Sequence, residues 1–234
     1  MEASLVANEI ARVRFPFPAP LQYRDQPLQN YRMYKMEDLE GIAWKNADLE
    51  DLWIFDKLIV ARKLGYSCGP VGTDVLSPDH YIVRPCVNIP GMGRGASIQW
   101  IEQDTTNLPT GYFWCELFKG RHISVDYKDG QQVLAVEGFR DEEDPLWRFF
   151  KWKKVDDIIP LPSIFFSLTK RYEYINIEYI NGSAIEIHLR HNPDFVHGNS
   201  IAYPVWKDNP IAMDMYGLKY IEAPDFHRKG FWID

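Results

Sequence analysis

The chain contains no apolar run that approaches the ~20 residues needed to cross a bilayer. Its first residues, MEASLVANEIARVRF, lack the apolar centre of a secretory signal. Cysteine is scarce: Cys68, Cys86 and Cys115 are widely spaced and odd in number. That excludes a disulfide framework and a zinc site of ordinary spacing, and it fits reduced thiols in a cytoplasm, or a host cytoplasm if the source is viral. Positive charge is also short. Lys and Arg number 26 against 33 Asp and Glu, a net charge of −7, which argues against a general nucleic-acid surface while leaving a local basic patch open. There is no internal repeat, no low-complexity segment, and neither a P-loop nor a dinucleotide-binding glycine pattern.

What is present is an ordinary globular composition, with 46% hydrophobic and 25% charged residues. Aromatic residues make up 15%, including 8 Trp, which suits a well-filled core or rigid binding walls. The 234 residues suffice for one large domain or two small ones.

The segment from Tyr174 to Asp194 carries the most information. Read as two strands, it places Asn176, Glu178, Glu186, His188 and Arg190 on one face and Ile175, Ile177, Tyr179, Ile185, Ile187 and Leu189 on the other. Asn181-Gly182 is a strong turn signal. A two-residue loop would pair Glu178 with Ile185 and mix the faces. An odd loop, Asn181-Gly182-Ser183, pairs Glu178 with Glu186 and Asn176 with His188, so core burial favours the odd loop. Two carboxylates facing each other repel unless positive charge lies between them, and a divalent metal carrying phosphate would supply it.

Elsewhere the pattern predicts a helix from about Asp51 to Leu64, with Leu52, Phe55, Leu58 or Ile59, and Leu64 as its stripe and Gly65 as its cap. Tyr81–Pro85 reads as a strand. Asn88 to Ser97 is a glycine-rich loop leading to another strand. Tyr112–Phe118, Ile123–Tyr127 and Gln132–Val136 read as strands, with a turn at Asp129-Gly130. Pro160–Tyr172 is a second helix candidate, with Ile164, Leu168 and Tyr172 spaced by four. Residues 1–35 read as an irregular arm, and the tail after Phe195 has no clear assignment.

Each site candidate has a plain reading beside its functional one. Gly91, Gly93 and Gly95, with Arg94 among them, let backbone N–H groups approach phosphate, or simply make a turn. Lys57 is a phosphate ligand or a solvated helix lysine. Arg84 ends an apolar strand beside that loop, as an anion contact or a salt bridge to some carboxylate. Glu116 is an edge-strand carboxylate, or it contacts a ribose or adenine while Leu117 and Phe118 present backbone and apolar surface. His188 is a metal ligand or a hydrogen-bonded structural histidine.

In this order the pieces resemble the ATP-grasp superfamily of carboxylate–amine and carboxylate–thiol ligases, over about Leu52 to Phe195, or 144 of 234 residues. Phe55-Asp56-Lys57-Leu58 is similar to the family's phosphate-binding "DK" helix, and Tyr81-Ile82-Val83-Arg84-Pro85 to its "VKP" strand, with Arg84 in place of Lys. Gly91–Ser97 resembles the loop that closes over the phosphates. Cys115–Arg121 resembles the hinge that meets adenine, and His122 stands where a ribose-binding acid is frequent. Glu178 and Glu186 match the two acidic metal ligands. His188 takes the place of the usual Asn, and Asn192 follows. Arg lacks the compact ammonium of Lys, and a histidine nitrogen suits Mg²⁺ poorly.

The resemblance implies an α+β ATP-grasp fold: two lobes with antiparallel sheets holding nucleotide between them. It implies residues 1–50 as a reduced N-terminal segment, 51–108 as the small lobe and 109–234 as the large lobe. It implies ATP with Mg²⁺ or Mn²⁺, a small-molecule or peptide carboxylate, an amine or other nucleophile, and an acylphosphate intermediate. Arg190 and Arg84 would act on the reacting groups. A homo-oligomer is compatible; a membrane is not expected. Two other readings stay open. One is an ATP-grasp-like protein that binds nucleotide without ligating. The other is an interaction module using the basic and aromatic segment Arg148 to Lys154, which sits beside acidic Asp141 to Asp144.

Overall fold

The structure is a computed structural model that describes residues 39–87, 93–208, 217–225 and 227–234. Expectations that fall on 1–38, including the whole arm and most of the reduced N-terminal segment, lie outside the described residues. The fold is α+β, with two antiparallel sheets and few helices. Among the described residues no helix is long and apolar enough to cross a membrane.

Helix α1 is Leu39–Asn46, a 3-10 helix follows at Leu49–Phe55, and helix α2 is Lys57–Lys63. The single helix expected over Asp51 to Leu64 is therefore two pieces. Asp56 breaks it. Its backbone is extended, and its side chain accepts from the N–H groups of Leu58 and Ile59, capping α2 at its first turn. Lys57 thus becomes the first residue of α2. The expected cap holds: Gly65 has φ +81°, Gly65 N–H donates to Arg62 and Tyr66 N–H to Ala61 in a Schellman motif.

The smaller sheet contains β1 (Cys68–Pro70), β2 (Asp79–Pro85), β3 (Ser97–Ile101) and β4 (Tyr112–Glu116) in the order β1-β4-β2-β3. The chain changes sheets between Glu116 and His122, beyond the 108/109 boundary expected from sequence, because β4 pairs with both β1 and β2. The larger sheet contains β5 (His122–Lys128), β6 (Gln131–Phe139), β7 (Lys151–Lys154), β8 (Tyr174–Ile180), β9 (Ser183–His188), β10 (Ile201–Trp206), β11 (Lys219–Glu222) and β12 (Arg228–Ile233). Their order is β11-β12-β10-β7-β6-β5-β8-β9, so the unassigned tail extends this sheet by three strands.

One face of β5, β8 and β9 is apolar. Val125, Tyr127, Ile175, Ile177, Tyr179, Ala184 and Ile187 are buried there, against Ile54 and Phe55 of the 3-10 helix, Val60 of α2, and Phe165 and Leu168. The segment 160–172 is not the expected helix. Two short 3-10 turns, Ser163–Phe165 and Leu168–Lys170, take its place. Pro160 and Pro162 supply no N–H for the first turns, and it is Phe165 and Leu168 that are buried, while Ile164 is exposed.

The hairpin has the expected pairing by a different route. Glu178 opposes Glu186 and Asn176 opposes His188. The loop, however, is the two-residue one: Ile180 pairs with Ser183, and Asn181 and Gly182 have φ +49° and +84°, as a hairpin turn of two left-handed residues requires. A β-bulge on β9 restores the register, because Ile185 is the extra residue opposite Glu178. Ile185 consequently leaves the core and faces the carboxylates, and Ala184 packs in the apolar cluster instead.

Candidate functional site

The polar face of the large sheet and the small sheet enclose a cleft of about 1140 Å³. From the small sheet and its helix come Lys57, Arg84, Ile82 and Cys115; from the connection, Leu117 to His122; from the large sheet, Glu178, Glu186, His188 and Arg190. Gly93, Arg94 and Asn192 also line it. Of the remaining sequence candidates, Gly95 and Glu116 are not in the lining, and Gly91 lies outside the described residues.

Glu178 and Glu186 stand opposite each other on the cleft side. Each has its own basic partner. Lys57 Nζ forms an ion pair with Glu186 Oε1. His122 Nε2 lies 3.1 Å from Glu178 Oε2. His188 stands between the two carboxylates, with Nε2 3.9 Å from Glu178 Oε1 and 3.7 Å from Glu186 Oε1. Behind it, His188 Nδ1 is 2.9 Å from Glu40 Oε2, and Arg190 Nε donates to the same oxygen at 2.7 Å. Burial pushes the Glu178 carboxyl up, but the hydrogen bond and charge of His122, aided by His188 and Arg190, hold it at about 2. Glu40 is likewise pushed up by burial and held at about 2 by His188 and Arg190.

Lys57 reaches this spot because α2 starts at the small sheet. Its own N–H donates to the Cys86 carbonyl at 2.8 Å, and the residue is buried. Arg84 does not take the expected carboxylate among the described residues. Its Nη2 donates to the Ile185 carbonyl at 2.9 Å, and its guanidinium lies 5.3 Å from the centre of the Phe113 ring. The bulge supplies that carbonyl, which a regular ladder would have engaged. Arg84 Nε is buried without a hydrogen-bond partner among the described residues. A cation so placed is a ready contact for an anion.

The glycine loop leads into β3 as expected. Gly95 has φ +74°, and a Cβ there would meet the Tyr112 hydroxyl at 2.5 Å, so only glycine fits. Arg94 reaches to the far end of the large sheet and pairs with Asp225 at 3.2 Å.

Glu116 turns away from the cleft. Its N–H donates to Ser67 O and its carboxylate accepts from Ser67 N–H, both at 2.8 Å. Leu117 and Phe118, one step on, do face the cleft.

Two acids that brace the site from behind were not singled out by the sequence reading. Glu40 sits in the acidic stretch EDLE and acts only by packing against β9. Asp126 is buried in β5, where its carboxylate accepts from the Asn192 N–H at 2.9 and 3.0 Å and from Asn176 Nδ2 at 2.8 Å. Burial pushes its carboxyl up. An acid inside the buried run Ile-Ser-Val-Asp-Tyr is the one hint the sequence offered.

Among the described residues, the trio of acidic or histidine groups whose donor atoms all lie within 4.8 Å of one another is Asp48, Glu50 and Asp51. Arg171 fills it, donating to Asp51 at 2.6 and 2.7 Å and pairing with Glu50 at 3.1 Å. The donor atoms of Glu178, Glu186 and His188 do not all come within 4.8 Å of one another. The basic and aromatic stretch after Arg148 is spent internally. Arg148 pairs with Asp144 at 3.8 Å and with Asp208, and Trp152 packs on Phe149 with centroids 4.5 Å apart.

No family model matches the chain, and no curated protein does. Among solved structures it is similar to a protein from Archaeoglobus fulgidus described as an ATP-grasp superfamily protein, at 14% identity and TM-score 0.43, covering 78% of this chain and 65% of that one. It is similar to the ATP-grasp ligase PsnB complexed with minimal precursor, at 13% identity and TM-score 0.39, covering 73% and 66%. It is also similar to an L-amino acid ligase from Bacillus licheniformis, at 12% identity and TM-score 0.38, covering 82% and 54%. The chain spans less than two thirds of the length of each. Likeness at this level concerns the arrangement of the sheets and carries no argument about chemistry.

Proposed function

We propose that this chain binds ATP in the cleft and joins a carboxylate to an amine or other nucleophile through an acylphosphate. One observation carries the reading: two opposed carboxylates on the large sheet share a cleft of about 1140 Å³ with Lys57 of α2 and Arg84 of the small sheet. Glu178 and Glu186, with His188 between them, are the residues that would hold a divalent cation, and the Lys57 ammonium on Glu186 occupies a position where positive charge is wanted. Such an ion, when bound, supplies charge neutralisation for a transferring phosphoryl group. The ion would be Mg²⁺, held by the carboxylates, or Mn²⁺, which also accepts the histidine nitrogen.

In this reading Lys57 and Arg84 hold the triphosphate, and the Gly93–Gly95 turn covers it with backbone N–H groups. Leu117 and Phe118 flank the base. A substrate carboxylate oxygen attacks the γ-phosphorus, ADP leaves, and the carboxylate becomes an acylphosphate. The nucleophile then attacks the acyl carbon and phosphate departs. Arg190, on the carboxylate side of the cleft, stabilises the developing charge. The protein's part is positioning and electrostatic stabilisation. The acid is a small molecule or a peptide.

The test is ADP release with pooled acids and amines, with hydroxylamine trapping of the acylphosphate. Lys57→Ala or Glu186→Ala is expected to abolish both; unchanged turnover in either variant refutes the assignment.

A second reading, nucleotide binding without ligation, is favoured by Arg190 being engaged with Glu40 and by Glu116 facing Ser67. It predicts stabilisation by ATP with no ADP release from any mixture.

A further inference from the structure

Two of the three cysteines face each other across neighbouring strands. Cys68 of β1 is the Cα partner of Cys115 of β4. Ladder hydrogen bonds run through the flanking pairs: Glu116 N–H donates to Ser67 O at 2.8 Å, and Val71 N–H donates to Tyr112 O at 3.3 Å. Bonded and unbonded pairs alternate in an antiparallel ladder, so Cys68 and Cys115 form an unbonded pair, with side chains on one face and Cα atoms about 4.5 Å apart. That falls at the short end of the window of about 4.4–6.8 Å that a disulfide accepts. Both thiols are free. They pack in one apolar cluster with Leu58 and Ala61 of α2, the helix that carries Lys57 at its start, and Cys115 lines the cleft. Cys86, in the same cluster, is set opposite Gly111 instead, to whose carbonyl its N–H donates at 2.9 Å.

We propose that Cys68 and Cys115 are a thiol–disulfide modification site in the wall of the cleft, closed by exchange with a small-molecule disulfide and opened again by thiols. Cys68 is the attacking residue, because it is half-buried where Cys115 is buried, and because Arg62 hydrogen-bonds its thiol. The Cys68 thiolate attacks one sulfur of the small disulfide, and one small thiolate leaves. Cys115, deprotonated in turn, attacks Cys68 Sγ and expels the second. Two protein thiols are oxidised to one disulfide, and the small disulfide is reduced to two thiols, which take up the two protons. Burial pushes the Cys68 thiol up, against the pull of Arg62, and pushes Cys115 up to about 12. The thiolate is the attacking form, so closure is slow and answers sustained oxidation, not a brief exposure. A pair near the short limit of disulfide geometry is strained once joined, and strained disulfides are the readily reduced ones. Nothing in this pairing depends on a bound nucleotide.

The test exposes the folded full chain to excess oxidised glutathione, alkylates the remaining thiols, and maps the digested protein by mass spectrometry. Wild type is expected to lose two of its three free thiols and to yield a linked peptide pair joining Cys68 to Cys115. Cys86→Ser is expected to form the same link. Dithiothreitol is expected to restore every thiol. Cys115→Ser is expected to stop at a glutathione adduct on Cys68, and Cys68→Ser to accumulate about tenfold less adduct on Cys115. Should either of these two variants not fold, the peptide maps of wild type and Cys86→Ser decide alone. Survival of all three thiols in wild type, a link through Cys86, or a stable glutathione adduct in place of the Cys68–Cys115 bond overturns the proposal.

Discussion

Arg84 of the small sheet donates to the carbonyl oxygen of Ile185 in the large sheet, 101 positions later, at 2.9 Å. The acceptor exists because Ile185 is the bulged residue of the hairpin. One irregularity therefore aligns Glu178 with Glu186 and also ties the two walls of the cleft together.

Deleting Ile185 removes the extra residue while leaving Glu178 opposite Glu186. The expected result is a folded protein with weaker ATP binding. Arg84→Ala has the same expected effect, and leaving a buried carbonyl unpaired costs about 1–3 kcal/mol. Urea titration and calorimetric binding of the two single variants and the double variant check this. Full additivity of the two changes would contradict the link.

Lys57 and Glu186 form a nearly buried ion pair, with side chains 8% and 10% exposed. Removing either partner alone strands a charge and is expected to cost about 3–5 kcal/mol. The double variant Lys57→Met, Glu186→Leu is expected to recover much of that stability while remaining unable to form ADP. Thermal melts paired with an ADP assay separate the two effects.

Acid stability depends on Glu40 and Glu178. Both carboxyls stand at about 2 in the folded chain, below the ordinary 4.5. Depressed folded values mean stability that is fully present above pH 4.5 and lost as pH falls toward 2. Glu40 supplies on the order of 3 kcal/mol of it, and Glu178, which is partly exposed, supplies less. Glu40→Gln is expected to flatten the fall in unfolding free energy between pH 5 and pH 3, measured by urea titration. An equally steep fall in the variant would remove Glu40 from the account.

Gly95→Ala is expected to lower the melting temperature and weaken ATP binding, because φ +74° and the Tyr112 hydroxyl at 2.5 Å leave no room for a methyl. Gly93→Ala, where the nearest atom lies at 3.8 Å, is expected to be milder despite its φ of +59°. Thermal shift with and without ATP ranks them. The reverse order would mean that the loop does not close where Gly95 places it.

Alternation along β8 and β9, the Asn181-Gly182 turn and the Gly65 cap were legible in the sequence, because each depends on neighbours within a few positions. So was the shared face of Glu178, Glu186 and His188, which follows from the period-two pattern, whereas Lys57 and Arg84 were expected in the cleft only through the resemblance. The bulge was not legible. It costs one residue of ladder and is selected only by burial of Ala184 in the core and capture of Ile185 O by Arg84. The outward face of Glu116 and the contact of Glu40 with His188 belong to the same class, whereas the split at Asp56 and the turns after Pro160 have local causes that the apolar spacing masked. Local chemistry decides which side of a strand a residue faces. Which groups meet across two sheets, and which protons and charges they then share, is decided by contacts between segments that the linear chain keeps more than a hundred residues apart.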